Sequence, residues 1–323
     1  MVVQSKWQQL PTEAINPASL GLDKLSPAAI IDLMVDEDRK VVAAVAREKE
    51  RIALGVDIIS QALKKGGRLV FIGAGTSGRL GALEAAEIPP TFGTAPTLVR
   101  AVMAGGNQAL VQAREGVEDN YEEGSRAIGR LRPTSKDVVV GVSASSMTQF
   151  VRGGLNRALR AGAKTIFVTC HPRTELQAFV DLTIAPAVGP EVIAGSTRLK
   201  AGTATKIVLN MLTTAVMVRV GKTYGNLMVD VQTTSEKLKD RARRILTIVS
   251  GIGYADADKL LKKARWNVKV AIVMQKTGLN FQQALSKLRR ADDVVREAIG
   301  EDIEPRLRRL LESEEPQKTP SNS

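Results

Sequence analysis

The chain has 323 residues, 44% of them hydrophobic, which is ample for one sizeable core with a small accessory domain. A net charge of +12 invites anionic partners, but aromatics make up only 3% and none interleave with the basic clusters at 237–244, 259–269 and 306–309. Those charges therefore read as solvated helix faces, not as a nucleic-acid surface. Cys170 and His171 are the only cysteine and histidine, which excludes an internal disulfide and all but excludes a histidine-rich metal site or a Ser-His-Asp triad elsewhere.

The first 25 residues carry Pro11 and Pro17, with Pro27 just beyond, and predict loop and short turns. No signal-peptide pattern and no apolar run of membrane length are read, so the expectation is a cytoplasmic protein that does not enter a membrane. Residues 28–64 read as helix, with Ile31, Leu33, Val41, Val45 and Ile52 at helical spacing, and Gly66-Gly67 stops it. Short β-rich runs then alternate with helices at 68–72, 97–103, 137–142, 164–169 and 182–185. That alternation predicts an α/β fold, a parallel sheet flanked by helices on both faces.

The first run ends in Gly73-Ala-Gly-Thr-Ser-Gly-Arg-Leu-Gly81 and leads straight into a helix. A glycine loop opening a helix aims backbone N–H groups and a helix dipole at one point, which suits a phosphate. The spacing also fits a dinucleotide fingerprint. That reading needs a carboxylate at the end of the second strand to hold a ribose, and the run at 97–103 passes into Ala104-Gly-Gly106 without one. The hydroxyls of Thr76 and Ser77 favour a compact phosphate monoester, and the alternative is a tight turn with no ligand. The third run ends in Ser143-Ala-Ser-Ser-Met-Thr148, where N-capping accounts for one hydroxyl but not for the whole group.

Residues 189–200 precede a long apolar helix expected over 201–220. Arg198 and Lys200 sit at its N-terminus against the helix dipole, which makes sense if an anion lies near. Residues 240–300 predict short amphipathic helices broken at Gly251, Gly253 and Gly278, hence a small bundle, and the last dozen residues read as disordered.

Several of these stretches together resemble one family. They are Gly73–Gly81, Pro89-Pro-Thr-Phe-Gly93, Ala104-Gly-Gly106, Glu115-Gly-Val-Glu-Asp119, residues 189–200 and Tyr224-Gly-Asn-Leu-Met-Val-Asp230, with Asp36-Glu-Asp-Arg-Lys40 near the start. In the same order, over roughly residues 12 to 300, they are similar to the N-acetylmuramic acid 6-phosphate etherases, relatives of the glucokinase regulatory proteins. The resemblance implies a sugar isomerase (SIS) fold, a homodimer and a small C-terminal helical domain. It implies an N-terminal segment over 1–53, the SIS domain over 54–220, the connector and helical domain over 221–311 and a disordered tail over 312–323.

It further implies a lyase that cleaves the D-lactyl ether of N-acetylmuramic acid 6-phosphate by elimination and then hydration, in cell-wall recycling, with neither metal nor organic cofactor. The catalytic pair would be Glu87 and Glu118. Gly75, Thr76, Ser77, Ser143, Ser145, Ser146, Thr148, Glu191, Ser196 and Lys200 would bind the sugar phosphate. Read without the family, Glu84 and Glu87 fit a solvated helix face, and Glu118 fits an acidic surface helix. Two stretches depart from the pattern. Ser145-Ser-Met-Thr-Gln-Phe150 stands where the etherases carry Ser-Gly-Arg-Thr-Pro-Tyr, and His171-Pro-Arg-Thr174 stands for Asn-Pro-Gly-Ser. The departures keep two other readings open, a sugar-phosphate-binding regulatory protein of the same fold and a sugar-phosphate isomerase.

Overall fold

The computed structural model describes residues 10–314. Five strands form one wholly parallel sheet: β1 (Leu69–Gly73), β2 (Val99–Met103), β3 (Val138–Val142), β4 (Lys164–Val168) and β5 (Leu182–Ile184). They lie in the order β2-β1-β3-β4-β5. Every residue of β1 and β3 is buried, as a parallel sheet covered on both faces requires. Gly73 stands in register with Met103 on one side and Val142 on the other, so the carboxyl ends of the three strands are level. Chain order reverses between β1 and β3, and such a reversal leaves a crevice between the two loops that leave those strands.

The helices around the sheet are α1 (Pro27–Ala46), α2 (Lys49–Lys64), α3 (Gly75–Phe92), α4 (Tyr121–Arg130), α5 (Gln149–Arg160) and α6 (Lys200–Arg219). The single helix expected over 28–64 is two. α1 starts on the Ser26 cap with Pro27 in its first turn, and the chain bends at Arg47-Glu48 before α2 resumes. One face of the sheet packs Val139 and Phe167 against Phe150 and Leu155 of α5 and Ile128 of α4. Pro17–Ser19 and Leu22–Lys24 form isolated 3-10 turns, as the proline spacing led one to expect.

Residue contacts divide the chain into two compact units. One runs up to Ile88 and resumes over Ala95–Val216; the other takes Pro89–Thr94 and the chain from Met217 onward. The expected boundary at 53/54 falls inside α2. The second unit holds α7 (Glu236–Ser250), α8 (Tyr254–Lys263), α9 (Val268–Thr277), α10 (Phe281–Arg290), α11 (Val295–Ile299) and α12 (Glu304–Glu314). Its core gathers Leu246, Leu261, Ile272 and Leu288 around α9, whose residues from Val268 to Val273 are all buried. Gly251 and Gly278 end α7 and α9 in the left-handed conformation, where a side chain would be strained. The tail expected to be disordered from 312 begins inside α12, and its remainder from 315 lies outside the described residues.

Among the described residues, α6 is the one helix long and apolar enough to cross a membrane by length and composition, contrary to the reading of no such run. Within the fold it is a core helix, with 56% of that stretch buried. Cys170, just past β4, is also buried, and burial followed by the charge of Glu191 pushes its thiol up to about 12.

Candidate active site at the strand ends

β1 ends on Gly73, and α3 begins only two residues later at Gly75, whose φ is +53°. So sharp a turn leaves no room for side chains where the loop folds on itself. A Cβ on Gly78 would meet the Gly73 carbonyl oxygen at 2.7 Å. The result places Gly75, Thr76 and Ser77 on a cleft of about 640 Å³. The N–H groups of a helix's first turn have no partner within the helix, and they carry the positive end of its dipole.

The loop after β3 forms the facing wall. Ser143, Ser145 and Thr148 line the same cleft, and the Ser143 and Thr148 hydroxyls bond each other at 2.8 Å. Met147 N donates to Ser145 Oγ at 3.3 Å, which holds the turn between them. Ser196 reaches the cleft on the turn that precedes α6. The two hydroxyl-rich loops expected to converge do so.

Glu118 also lines this cleft, half-buried on a 3-10 turn (Val117–Asp119) that Gly116 opens in a left-handed conformation. Sequence reasoning did not place Arg79 and Arg114 among the binding groups, yet both line the cleft, as does Arg198. Arg79 donates to the Leu110 carbonyl at 3.0 Å, which ties the loop after β2 to α3. A helix that starts with a phosphate-binding loop and carries an arginine one turn in was a usable signal for Arg79. The chemistry assembled here is a set of hydroxyls, free amides and guanidiniums suited to a phosphate, with two carboxylates, Glu115 and Glu118, lining the same space. Among the described residues no cluster of His, Cys, Asp or Glu could hold a metal ion.

Other expected binders lie elsewhere. Glu191 is fully buried, and its two carboxylate oxygens accept from the N–H groups of Lys200 and Ala201 at 2.9 and 3.0 Å. Burial raises its pKa more than these bonds and Lys200 lower it. It caps α6 and does not line the cleft. The Lys200 ammonium is 2% exposed and bonds Glu37 of α1 at 2.5 Å. The anion that its place at a helix N-terminus called for is therefore internal. Ser146, at φ +66°, turns away from the cleft: its hydroxyl bonds Thr169 at 2.6 Å, and it lines a second cavity.

Glu87 is exposed on α3 and is not among the residues lining the cleft of its own chain. It lies twelve positions beyond Gly75, which is about 18 Å along a helix. Glu84, one turn earlier, is buried and accepts from Asn210 and from Thr213, the latter at 2.6 Å. Burial, set against those bonds, raises its pKa. The two glutamates therefore do not share a solvated face.

Residues 51–159 match the family model of the glucokinase regulatory protein N-terminal SIS domain. The chain is 50% identical to the N-acetylmuramic acid 6-phosphate etherase of Thermosynechococcus vestitus over 273 residues, covering 83% of this chain and 89% of that one. It is also 50% identical to the N-acetylmuramic acid 6-phosphate etherase of Alkaliphilus metalliredigens over 301 residues, covering 92% and 98%. A phosphoheptose isomerase from Francisella tularensis aligns over 60% of this chain and 100% of its own, with 16% identity and a TM-score of 0.48.

Proposed function

The chain belongs to the N-acetylmuramic acid 6-phosphate etherases, SIS-fold lyases that cleave the lactyl ether of that sugar phosphate, and we propose how its own residues perform the reaction. The phosphate sits against the first turn of α3 and the hydroxyls of Thr76, Ser77, Ser145 and Thr148. Arg79, Arg114 and Arg198 offset its charge. In the open-chain sugar the aldehyde acidifies the proton on carbon 2. Glu118 removes that proton, the bond from carbon 3 to the ether oxygen breaks, and a glutamic acid protonates the oxygen as D-lactate leaves. Water then adds to carbon 3 of the unsaturated aldehyde, giving N-acetylglucosamine 6-phosphate.

Glu87 is the proposed acid and the later activator of water. Its distance from the cleft of its own chain supports a homodimer in which Glu87 of one subunit completes the cleft of the other. Leu83 on α3 and Met211 on α6, 46% and 45% exposed, give that part of the surface the apolar character a self-complementary interface needs. A cytoplasmic place in cell-wall recycling fits this substrate.

The observation that carries the reading is the meeting of the β1 and β3 loops with Glu118 in one cleft. The purified protein should release D-lactate from N-acetylmuramic acid 6-phosphate. Glu87→Gln and Glu118→Gln should each lower turnover by about 100-fold or more with the fold intact. Folded wild-type protein that binds the sugar phosphate without releasing lactate would establish the regulatory reading instead.

A further inference from the structure

Beside the cleft lies a larger cavity of about 1040 Å³. The two adjoin along the loop after β3: Ser145 lines the cleft, and Ser146 lines the cavity. Arg152, Arg173, His171 and Gln149 line the cavity together with the apolar Leu10 and Leu176. Six of the seven positions at which the chain departs from the etherase pattern (146, 147, 149, 171, 173 and 174) come from two separate loops and meet here; the seventh, Phe150, is buried in the core.

The lining is polar in a one-sided way. Neither arginine takes part in an ion pair among the described residues, and the partner of the Arg152 guanidinium is the Phe179 ring at 6.0 Å. Glu175 is the one carboxylate in the lining, and it is exposed. His171 Nδ1 is buried without a hydrogen-bond partner, a condition that native structures rarely leave unexplained. The His171 backbone and the 143–148 turn are stitched together: Thr169 Oγ1 bonds Ser146 Oγ at 2.6 Å and accepts from His171 N at 3.2 Å.

We propose that this cavity is a second binding site, separate from the sugar-phosphate cleft, for a small polyanion held by Arg152 and Arg173 with His171 as its third polar contact. Two guanidinium forks at one cavity match the oxygens of a di- or tricarboxylate or of a phosphate. Through Thr169 the His171 backbone, next to the imidazole that would meet the occupant, is two hydrogen bonds from the turn that carries Ser145 and Thr148. Burial, and then the nearby Arg173 charge, lowers the His171 pKa, and an anion between them would oppose the second of these causes.

Because His171 is the only histidine, its imidazole gives one resonance for this site without any turnover, so the test stands apart from the lyase reading. Citrate and inorganic phosphate are titrated separately into the full chain. Saturable movement of that resonance below about 10 mM by either is expected, and which anion binds tighter identifies the ligand class. Arg173→Gln should weaken the binding by about tenfold, and the Arg152→Gln/Arg173→Gln pair should weaken it further. Both side chains are exposed, so either variant keeps its melting temperature. No saturable movement with either anion overturns the proposal, and so does movement that the double variant leaves unchanged.

Discussion

Lys200 and Glu37 form a pair sealed from solvent, their side chains 2% and 4% exposed. Burial pushes the Glu37 carboxyl up, but hydrogen bonds from Lys200, Lys40 and Asn16 outweigh it and hold the group at about 2, below its ordinary 4.5. A carboxyl depressed on folding stabilises the protein above its unfolded pKa, and that contribution fades as pH falls from about 4.5 through about 2. Lys200→Met removes the buried partner of Glu37, leaving only Lys40 and Asn16, and should cost about 3–5 kcal/mol at neutral pH, with a shallower acid limb. Urea midpoints measured from neutral pH to about 2 check both. Little of this was legible beforehand. Local context spoke for a ligand at Lys200, but its partner lies 163 positions away in the chain. Glu84 and Glu87 differ likewise only by which side of α3 packs against Asn210 and Thr213.

The strand-to-helix turn at the head of α3 depends on two glycines in mutual backbone contact. A Cβ on Gly78 would meet Gly73 oxygen at 2.7 Å and the Met103 sulfur at 3.2 Å, and only the sulfur can give way easily. Gly78→Ala should therefore lower stability by about 1–3 kcal/mol and also raise KM, because the amides that face the phosphate move with the loop. Equal unfolding midpoints for variant and wild type would contradict this. The turn itself was readable because glycine spacing and a following helix are local signals. The strands were readable because buried parallel strands are continuous apolar runs, and the observed bounds differ from expectation by a residue or two. The break between α1 and α2 was not. Arg47-Glu48 contains neither glycine nor proline, and both residues propagate helix, so packing alone decides it.

For the whole molecule, the composite-site proposal makes a claim that single variants cannot. Glu87→Gln and Glu118→Gln homodimers should both be nearly inactive. Co-refolded as a mixture they should recover roughly a quarter of wild-type turnover, since half the dimers are mixed and each mixed dimer has one complete site. D-lactate release from the mixture measures it, and no recovery would place both glutamates within one chain. The cleft was legible as two loops, and the residues alone did not suggest a site shared between copies. A sequence names the side chains on α3 without saying which of them its own chain covers.

The protein's one thiol is the buried Cys170, pushed up to about 12 and so held in its unreactive form. Maleimides and mild oxidants consequently find the native chain blank. A cysteine introduced at the exposed Met211 position would be the only reactive sulfur, so any covalent bridge between copies would report that one point of the surface and no other.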